Sequence, residues 1–294
     1  MNFRGNLIVN AALTGMVPMK PDNPWVPITP DEIADDAVRV VAAGASIVHL
    51  HARDGDGSPS YRREIYAEII AKIRDRCPDV IVCVSTSGRV FRSFAERSDV
   101  LDLKSDVKPD MASLTLGSLN FPKQAVTNDP ETIRRLAERM AERGIVPELE
   151  VFDLGMVDYA KYLVDRGILR GPHYFNILLG SLGTLAASPL NLALVVQALP
   201  AGSTWAAAGI GRYQFSVNAM AVTMGGHVRV GLEDNLFMGT KERPATNLAL
   251  VERIVALGRA FEREPATPSE ARTEIGLAAG AAALRPSSVV EVAD

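Results

Sequence analysis

The sequence has little cysteine, few histidines and no long apolar run. Its two cysteines, Cys77 and Cys83, form no CxxC pair, which excludes a disulfide framework and a cysteine-based zinc module. Cys83 lies in the apolar run DVIVCVS, where a strand buries it as a small hydrophobe. A spanning helix needs roughly 18 uninterrupted apolar residues; the longest stretch, around Leu190 to Leu199, is shorter and runs into Pro200. The N-terminal apolar run contains Asn10 and is broken by Gly5 and Gly15, the pattern of a buried strand rather than a signal peptide. No basic arm is present either: 31 Lys and Arg stand against 35 Asp and Glu, a formal net charge of -4. These absences predict a soluble, cytoplasmic protein with no membrane and no nucleic-acid partner.

What is present is globular. At 47% hydrophobic and 22% charged residues, 294 residues can bury a large core. Short apolar, β-branched runs alternate with longer amphipathic ones, which is the order of repeated βα units. The runs predicted as strands are 7–11, 46–51, 80–85, 111–116, 145–151, 173–179, 204–209 and 228–232. Helices are predicted over 31–43, 64–76, 130–143, 191–199 and 247–261. Thr29-Pro30, Asp129-Pro130 and Ser188-Pro189 place a capping side chain before a first-turn proline, and Gly44, Gly144 and Gly167 stand where helices end. Eight such units without a flexible linker predict an α/β protein built as a single (β/α)8 TIM barrel with a C-terminal helical tail. We assign residues 1–264 to the catalytic barrel and 265–294 to a C-terminal extension, with a neighbouring subunit as one place for it to pack.

In such barrels the active site is built at the C-terminal ends of the strands. The second strand ends in VHLHARD, and residues two apart on a strand share a face, so His49 and His51 can converge on one point. The eighth ends in VGLED and brings Glu233 to the same rim. Two imidazoles and a carboxylate with open positions form the ligand set of a catalytic zinc, although iron sites share it. His173 and His227 precede or open their strands and are assigned structural roles at the opposite rim. The turn Ser85-Thr86-Ser87-Gly88 offers hydroxyls and backbone N–H groups to a carboxylate. Ser113 and Thr115 share a face of strand four. Glu148 and Glu150 share a face of strand five, where two buried carboxylates need partners or a task. The glycines around Ile210 lack the dinucleotide fingerprint, yet with Arg212 they suit the phosphates of a large cosubstrate.

The segments ITPDE, HLHARDGDG, VSTSG, ASLTLGSLNF, VPELEVFDLGMVD, WAAAGIGR and GGHVRVGLEDN resemble, in order and spacing, the β-keto acid cleavage enzymes of the 3-keto-5-aminohexanoate type, over residues 6–271. The resemblance implies a TIM barrel that uses one zinc ion per chain and acetyl-CoA to convert a β-keto acid into acetoacetate and a shortened acyl-CoA. It implies His49, His51 and Glu233 as the zinc ligands, and Ser85 and Thr86 as binders of the substrate carboxylate. Ser113 becomes a substrate contact, with Thr115 beside it, and Arg229 with Asp234 the catalytic dyad that deprotonates the substrate. Glu148 becomes a catalytic-site residue facing the distal part of the substrate. A homo-oligomer, a tetramer, is implied as well. Where the type enzyme has a glutamate for a substrate amine, this chain has Val17, so the expected substrate is not 3-keto-5-aminohexanoate. Arg89, like Arg212, is a candidate for a second substrate carboxylate or a CoA phosphate.

Two other readings compete on the residues alone. A metal-dependent hydrolase of the amidohydrolase type also uses a His-x-His pair, but it needs further histidines at later strand ends. A non-catalytic metal-binding barrel needs only the pair and its carboxylate.

Overall fold

The computed structural model describes residues 5–121, 124–239 and 243–277. Eight parallel strands close into a barrel. They are β1 (Val9–Ala12), β2 (Ile47–Leu50), β3 (Ile81–Val84), β4 (Met111–Thr115), β5 (Val146–Val151), β6 (Tyr174–Leu179), β7 (Thr204–Gly209) and β8 (His227–Val230). Each pairs with its neighbours in sequence, and β1 closes the ring by pairing with β8, Asn10 opposite Arg229. All eight predicted strands form, each within two or three residues of its expected limits.

The helices are α1 (Pro30–Ala42), α2 (Arg63–Arg76), the short α3 (Phe94–Ser98), α4 (Pro130–Arg143), α5 (Leu154–Asp165), α6 (Pro189–Ala198), α7 (Gln214–Thr223), α8 (Asn247–Ala260) and α9 (Pro268–Ile275). The capping signals act as expected. Thr29 accepts from the Glu32 N–H while Glu32 reaches back, Asp129 accepts from Thr132 and Ser188 from Asn191. Helix α1 buries Ile33, Ala34, Ala37 and Val40, a stripe at helical spacing that faces the strands. Two short antiparallel hairpins follow β2 and β4, Ala52–Arg53 with Pro59–Ser60 and Leu119–Phe121 with Gln124–Val126.

One large apolar cluster fills the space between the strands and the helix ring, and a smaller one plugs the N-terminal end of the barrel. The plug contains Ile8, Ile47, Ile81 and Met111 together with Ala271 and Ile275 of α9. Burying each isoleucine there stabilises the fold by about 2–3 kcal/mol. Residues 265–277 thus cover the floor of their own barrel, with Ala266 N–H donating to the Leu7 carbonyl at 2.9 Å. The rest of the 265–294 extension, 278–294, lies outside the described residues. His227 belongs to this floor: its Nδ1 accepts the Ile8 N–H and its Nε2 lies 2.6 Å from Glu274. Among the described residues no helix is long and apolar enough to cross a membrane.

Candidate active site

With the floor sealed by apolar side chains, the polar residues of the barrel collect at the other end around a cavity of about 630 Å³. His49 is in β2 and His51 directly follows it, so the pleat turns both rings inward. Their Nε2 atoms lie 3.3 Å apart. Glu233 comes from the turn after β8, where Gly231 has φ 152° and an added Cβ would sit 2.1 Å from the Ala12 carbonyl oxygen. Only glycine lets β8 pass so close to β1 and swing Glu233 over the rim. Gly15, at φ 67°, leaves the space beside it, since a Cβ there would lie 2.7 Å from Glu233 Cγ. Glu233 Oε1 is 3.1 Å from His51 Nε2, and Oε2 is 3.6 Å from His49 Nε2.

The surroundings of these groups set what the cluster can bind. Glu148 lies beneath it, fully buried, with Oε2 2.9 Å from His49 Nδ1. Burial pushes the Glu148 carboxyl up, but His49 and Arg229 outweigh it and hold the pKa down at about 2. An ionised Glu148 only accepts, so His49 Nδ1 carries the hydrogen and Nε2 is the ring nitrogen that faces the cavity; burial opposes a charge on this ring, but Glu233 and Glu148 outweigh it and raise the His49 pKa. Burial drives His51 toward its neutral form against the pull of Glu233. The buried Glu233 Oε2 has no hydrogen-bond partner. A divalent cation fits this donor set: two imidazole nitrogens and a carboxylate all lie within 4.8 Å of one another. His49, Cys83 and Glu148 form a second such group deeper in the barrel, where burial, with Glu148 alongside, keeps the thiol well above its usual range.

Arg229 of β8 is the electrostatic centre. It is almost fully buried and reaches Asp234 through Nε at 2.9 Å, Glu233 through Nη2 at 2.9 Å and Glu150 through Nη1 at 3.2 Å. Burial raises the Asp234 carboxyl against the opposing pull of Arg229, whereas Glu233, buried but flanked by His51 and Arg229, is held well below the carboxylate range. Two adjacent acids are thereby split into a more basic and a less basic one.

The cavity wall includes Val17, His49, His51, Ser85, Ser113, Thr115, Arg89, Arg212, Arg229, Glu150, Glu233 and Asp234. Two expected members stand elsewhere. Glu148 is not part of the wall; it supports His49 from below and accepts from Asn10 Nδ2 at 2.6 Å and Asn176 Nδ2 at 3.2 Å. The Thr86 hydroxyl donates to the Ser113 carbonyl at 2.6 Å and is not part of the wall. The hydroxyl of Thr115 is likewise committed, to Glu150 at 2.7 Å. Ser85 and Ser113 each accept a backbone N–H, from Ser87 and Thr86, which leaves their own hydrogens free to point at a ligand.

Sequence reasoning missed several contributors. Asn10 and Asn176 support Glu148 from β1 and β6, and polar residues inside apolar strands were the available signal. Arg53, inside HLHARD, ties the loop before α1 to the hairpin after β2 by donating to the Gly15, Pro18 and Gly57 carbonyls at 2.9 Å each. Arg97 of α3 braces the turn after β3 by donating to the Thr86 carbonyl at 2.8 Å, and nothing in the sequence marked it. His173 and His227 both lie away from this rim, so it offers no third histidine.

Comparison with known proteins identifies the family. The family model for the beta-keto acid cleavage enzyme matches residues 6–277. The chain is 42% identical over 272 residues to a 3-keto-5-aminohexanoate cleavage enzyme of Fusobacterium nucleatum, covering 92% of this chain and 98% of that one. It is 37% identical to a 3-oxoadipate:acetyl-CoA acetyltransferase of Cupriavidus necator, covering 92% and 94%. Among solved structures, ObcA in ternary complex with a C4-CoA adduct and oxalate superposes with a TM-score of 0.78 at 23% identity, covering 86% of this chain and 68% of that one, a likeness of fold. The chain belongs to the β-keto acid cleavage enzyme family.

Proposed function

We propose that this protein is a zinc-dependent enzyme that condenses a β-keto acid with acetyl-CoA and releases acetoacetate and a shortened acyl-CoA. The observation that carries the proposal is the convergence of two imidazole nitrogens, from His49 and His51, on the Glu233 carboxylate, whose buried Oε2 has no hydrogen-bond partner, beside the Arg229–Asp234 pair in one cavity. The family and the acetyl-CoA-dependent reaction named for the Cupriavidus necator relative support it.

His49, His51 and Glu233 would hold the zinc ion, which would supply Lewis-acid polarisation of the keto group. Ser85 and Ser113 donate their free hydroxyl hydrogens to the substrate carboxylate. Asp234, made more basic by burial and oriented by the Arg229 fork, takes the proton from the carbon between the two carbonyls. That carbon bonds the acetyl carbonyl carbon and the CoA thiolate leaves. The thiolate then adds to the original keto carbon, the bond between that carbon and the former α-carbon breaks, and the proton on Asp234 returns to the carbon set free. Glu148 fixes the His49 ring and its tautomer throughout.

Val17 sets the substrate apart. It is half-exposed in the cavity wall and offers no charge to a cationic tail. The substrate is therefore a β-keto acid without an amino group. By the resemblance, the proposal includes a homo-oligomer. The test is a panel of β-keto acids with neutral, dicarboxylic and cationic tails, incubated with zinc-loaded protein and acetyl-CoA and read as acetoacetate by mass spectrometry. Acetoacetate that depends on acetyl-CoA and favours non-cationic tails is expected. None from any acid, with zinc bound, overturns the proposal.

A further inference from the structure

Three arginines line the cavity, and they differ in what they bind. Arg229 is saturated: Asp234, Glu233 and Glu150, the three acids of the wall, all pair with it. Arg212 is exposed at the mouth and donates to the Tyr213 hydroxyl at 2.8 Å. Arg89 is half-buried on the turn after β3, with its guanidinium stacked 4.0 Å above the Phe121 ring. Among the described residues no carboxylate, carbonyl or hydroxyl accepts from that guanidinium, and every acid of the wall is already engaged by Arg229.

Such a group is poised for an anion. Stacking on Phe121 fixes the guanidinium plane and leaves its in-plane N–H donors directed along the wall. Phe121 is itself held edge-on by Phe152, with ring centroids 6.3 Å apart. The turn beneath is braced too. Ser87 Oγ accepts the Arg89 N–H at 3.2 Å, and Gly88 packs against Arg97, whose Nη1 would lie 2.8 Å from an added Cβ. Burial lowers the Arg89 pKa although the Glu233 charge, near enough to act on it, favours the cation. Leaving a half-buried cation unpaired costs free energy that a bound carboxylate recovers.

We propose that Arg89 receives a second carboxylate at the far end of the substrate, and that the enzyme's substrates are β-keto dicarboxylic acids. This rests on the proposed function and narrows it. CoA is the other source of negative charge. In CoA the phosphates are separated from the thioester by the long pantetheine arm, which suits the exposed Arg212 at the mouth; Arg89 is the more buried of the two.

The test has a binding arm and a kinetic arm. In the first, calorimetry on zinc-loaded protein compares saturated dicarboxylates with monocarboxylates of equal length, for wild type, Arg89→Gln and Arg89→Lys, without acetyl-CoA. We expect wild type to prefer the dicarboxylate by about ten- to a hundredfold, the worth of one charge-assisted pair. Arg89→Gln should lose that preference, and Arg89→Lys should recover part of it. In the second arm, the kcat/KM ratio of a β-keto dicarboxylic acid to its far-end methyl ester should fall by the same factor in Arg89→Gln. An unchanged preference overturns the assignment. So does a rise in the KM for acetyl-CoA that is equal for every acid, because it gives Arg89 to the CoA phosphates. Arg89-dependent dicarboxylate binding without turnover would sink the proposed function, and with it the substrate class, and leave Arg89 standing as the receiver of a second carboxylate. Turnover of monocarboxylic acids with no dicarboxylate preference would do the reverse.

Discussion

His49 Nδ1 lies 2.9 Å from Oε2 of Glu148, in a part of the barrel closed to solvent. This contact decides which nitrogen of His49 faces the cavity, because an ionised carboxylate beneath can only accept. It leaves His49 Nε2 facing Glu233 and His51, and it gives Glu148 a positioning role.

Replacing Glu148 with Gln keeps the shape and removes the charge that holds the His49 tautomer. We expect zinc affinity to fall by about ten- to a hundredfold with the barrel intact. Competitive titration against a chelator measures it, with far-ultraviolet circular dichroism as the folding control. Wild-type affinity would remove Glu148 from the metal's support.

Asp234→Asn leaves a side chain that still accepts from Arg229 but no longer takes a proton. Zinc content and substrate binding should persist while kcat falls by about 10²–10⁴. A variant within a factor of three of wild type would mean another group is the base.

Gly15 owes its place to Glu233. In Gly15→Ala the new methyl would lie 2.7 Å from Glu233 Cγ, on a backbone at φ 67°. We expect a stability loss of about 1–3 kcal/mol from the backbone strain and weaker zinc binding as Glu233 is pushed aside. Unaltered metal affinity would show that Glu233 is not held in place by that contact.

The floor of the barrel titrates separately from the site. His227 Nδ1 accepts from Ile8, so Nε2–H donates to Glu274, and this hydrogen bond, against a smaller cost of burial, holds the Glu274 carboxyl below its usual range. A carboxyl depressed in the folded state stabilises the fold above its unfolded pKa, and that stability is lost as pH falls through the folded value. Wild type should therefore exceed Glu274→Gln in Tm near neutral pH, with the gap closing below about pH 4.5, the ordinary glutamate value. A gap constant from pH 7 to 3 would contradict the assignment.

Much of this was legible in the chain. Strands buried on both faces read as unbroken apolar runs, and each capping proline stood where a helix began, so the barrel followed from local signals. His49, His51 and Glu233 were readable because the pleat and the strand ends place them without knowledge of neighbours. The role of Glu148 was not readable. It depends on β5 curving round so that its side chain reaches His49 of β2 across the barrel interior, a closure no local pattern encodes. The bond of the Thr86 hydroxyl to a carbonyl of the adjacent strand was hidden for a similar reason.

The most direct measurement is the fate of the acetyl carbons. With acetyl-CoA labelled with ¹³C at both acetyl positions and an unlabelled β-keto acid, the acetoacetate formed should be heavier by two mass units, with both labels in its methyl-ketone end. The new acyl-CoA should carry none. Unlabelled acetoacetate, or label in the acyl-CoA, would contradict transfer of the acetyl group to the α-carbon of the keto acid.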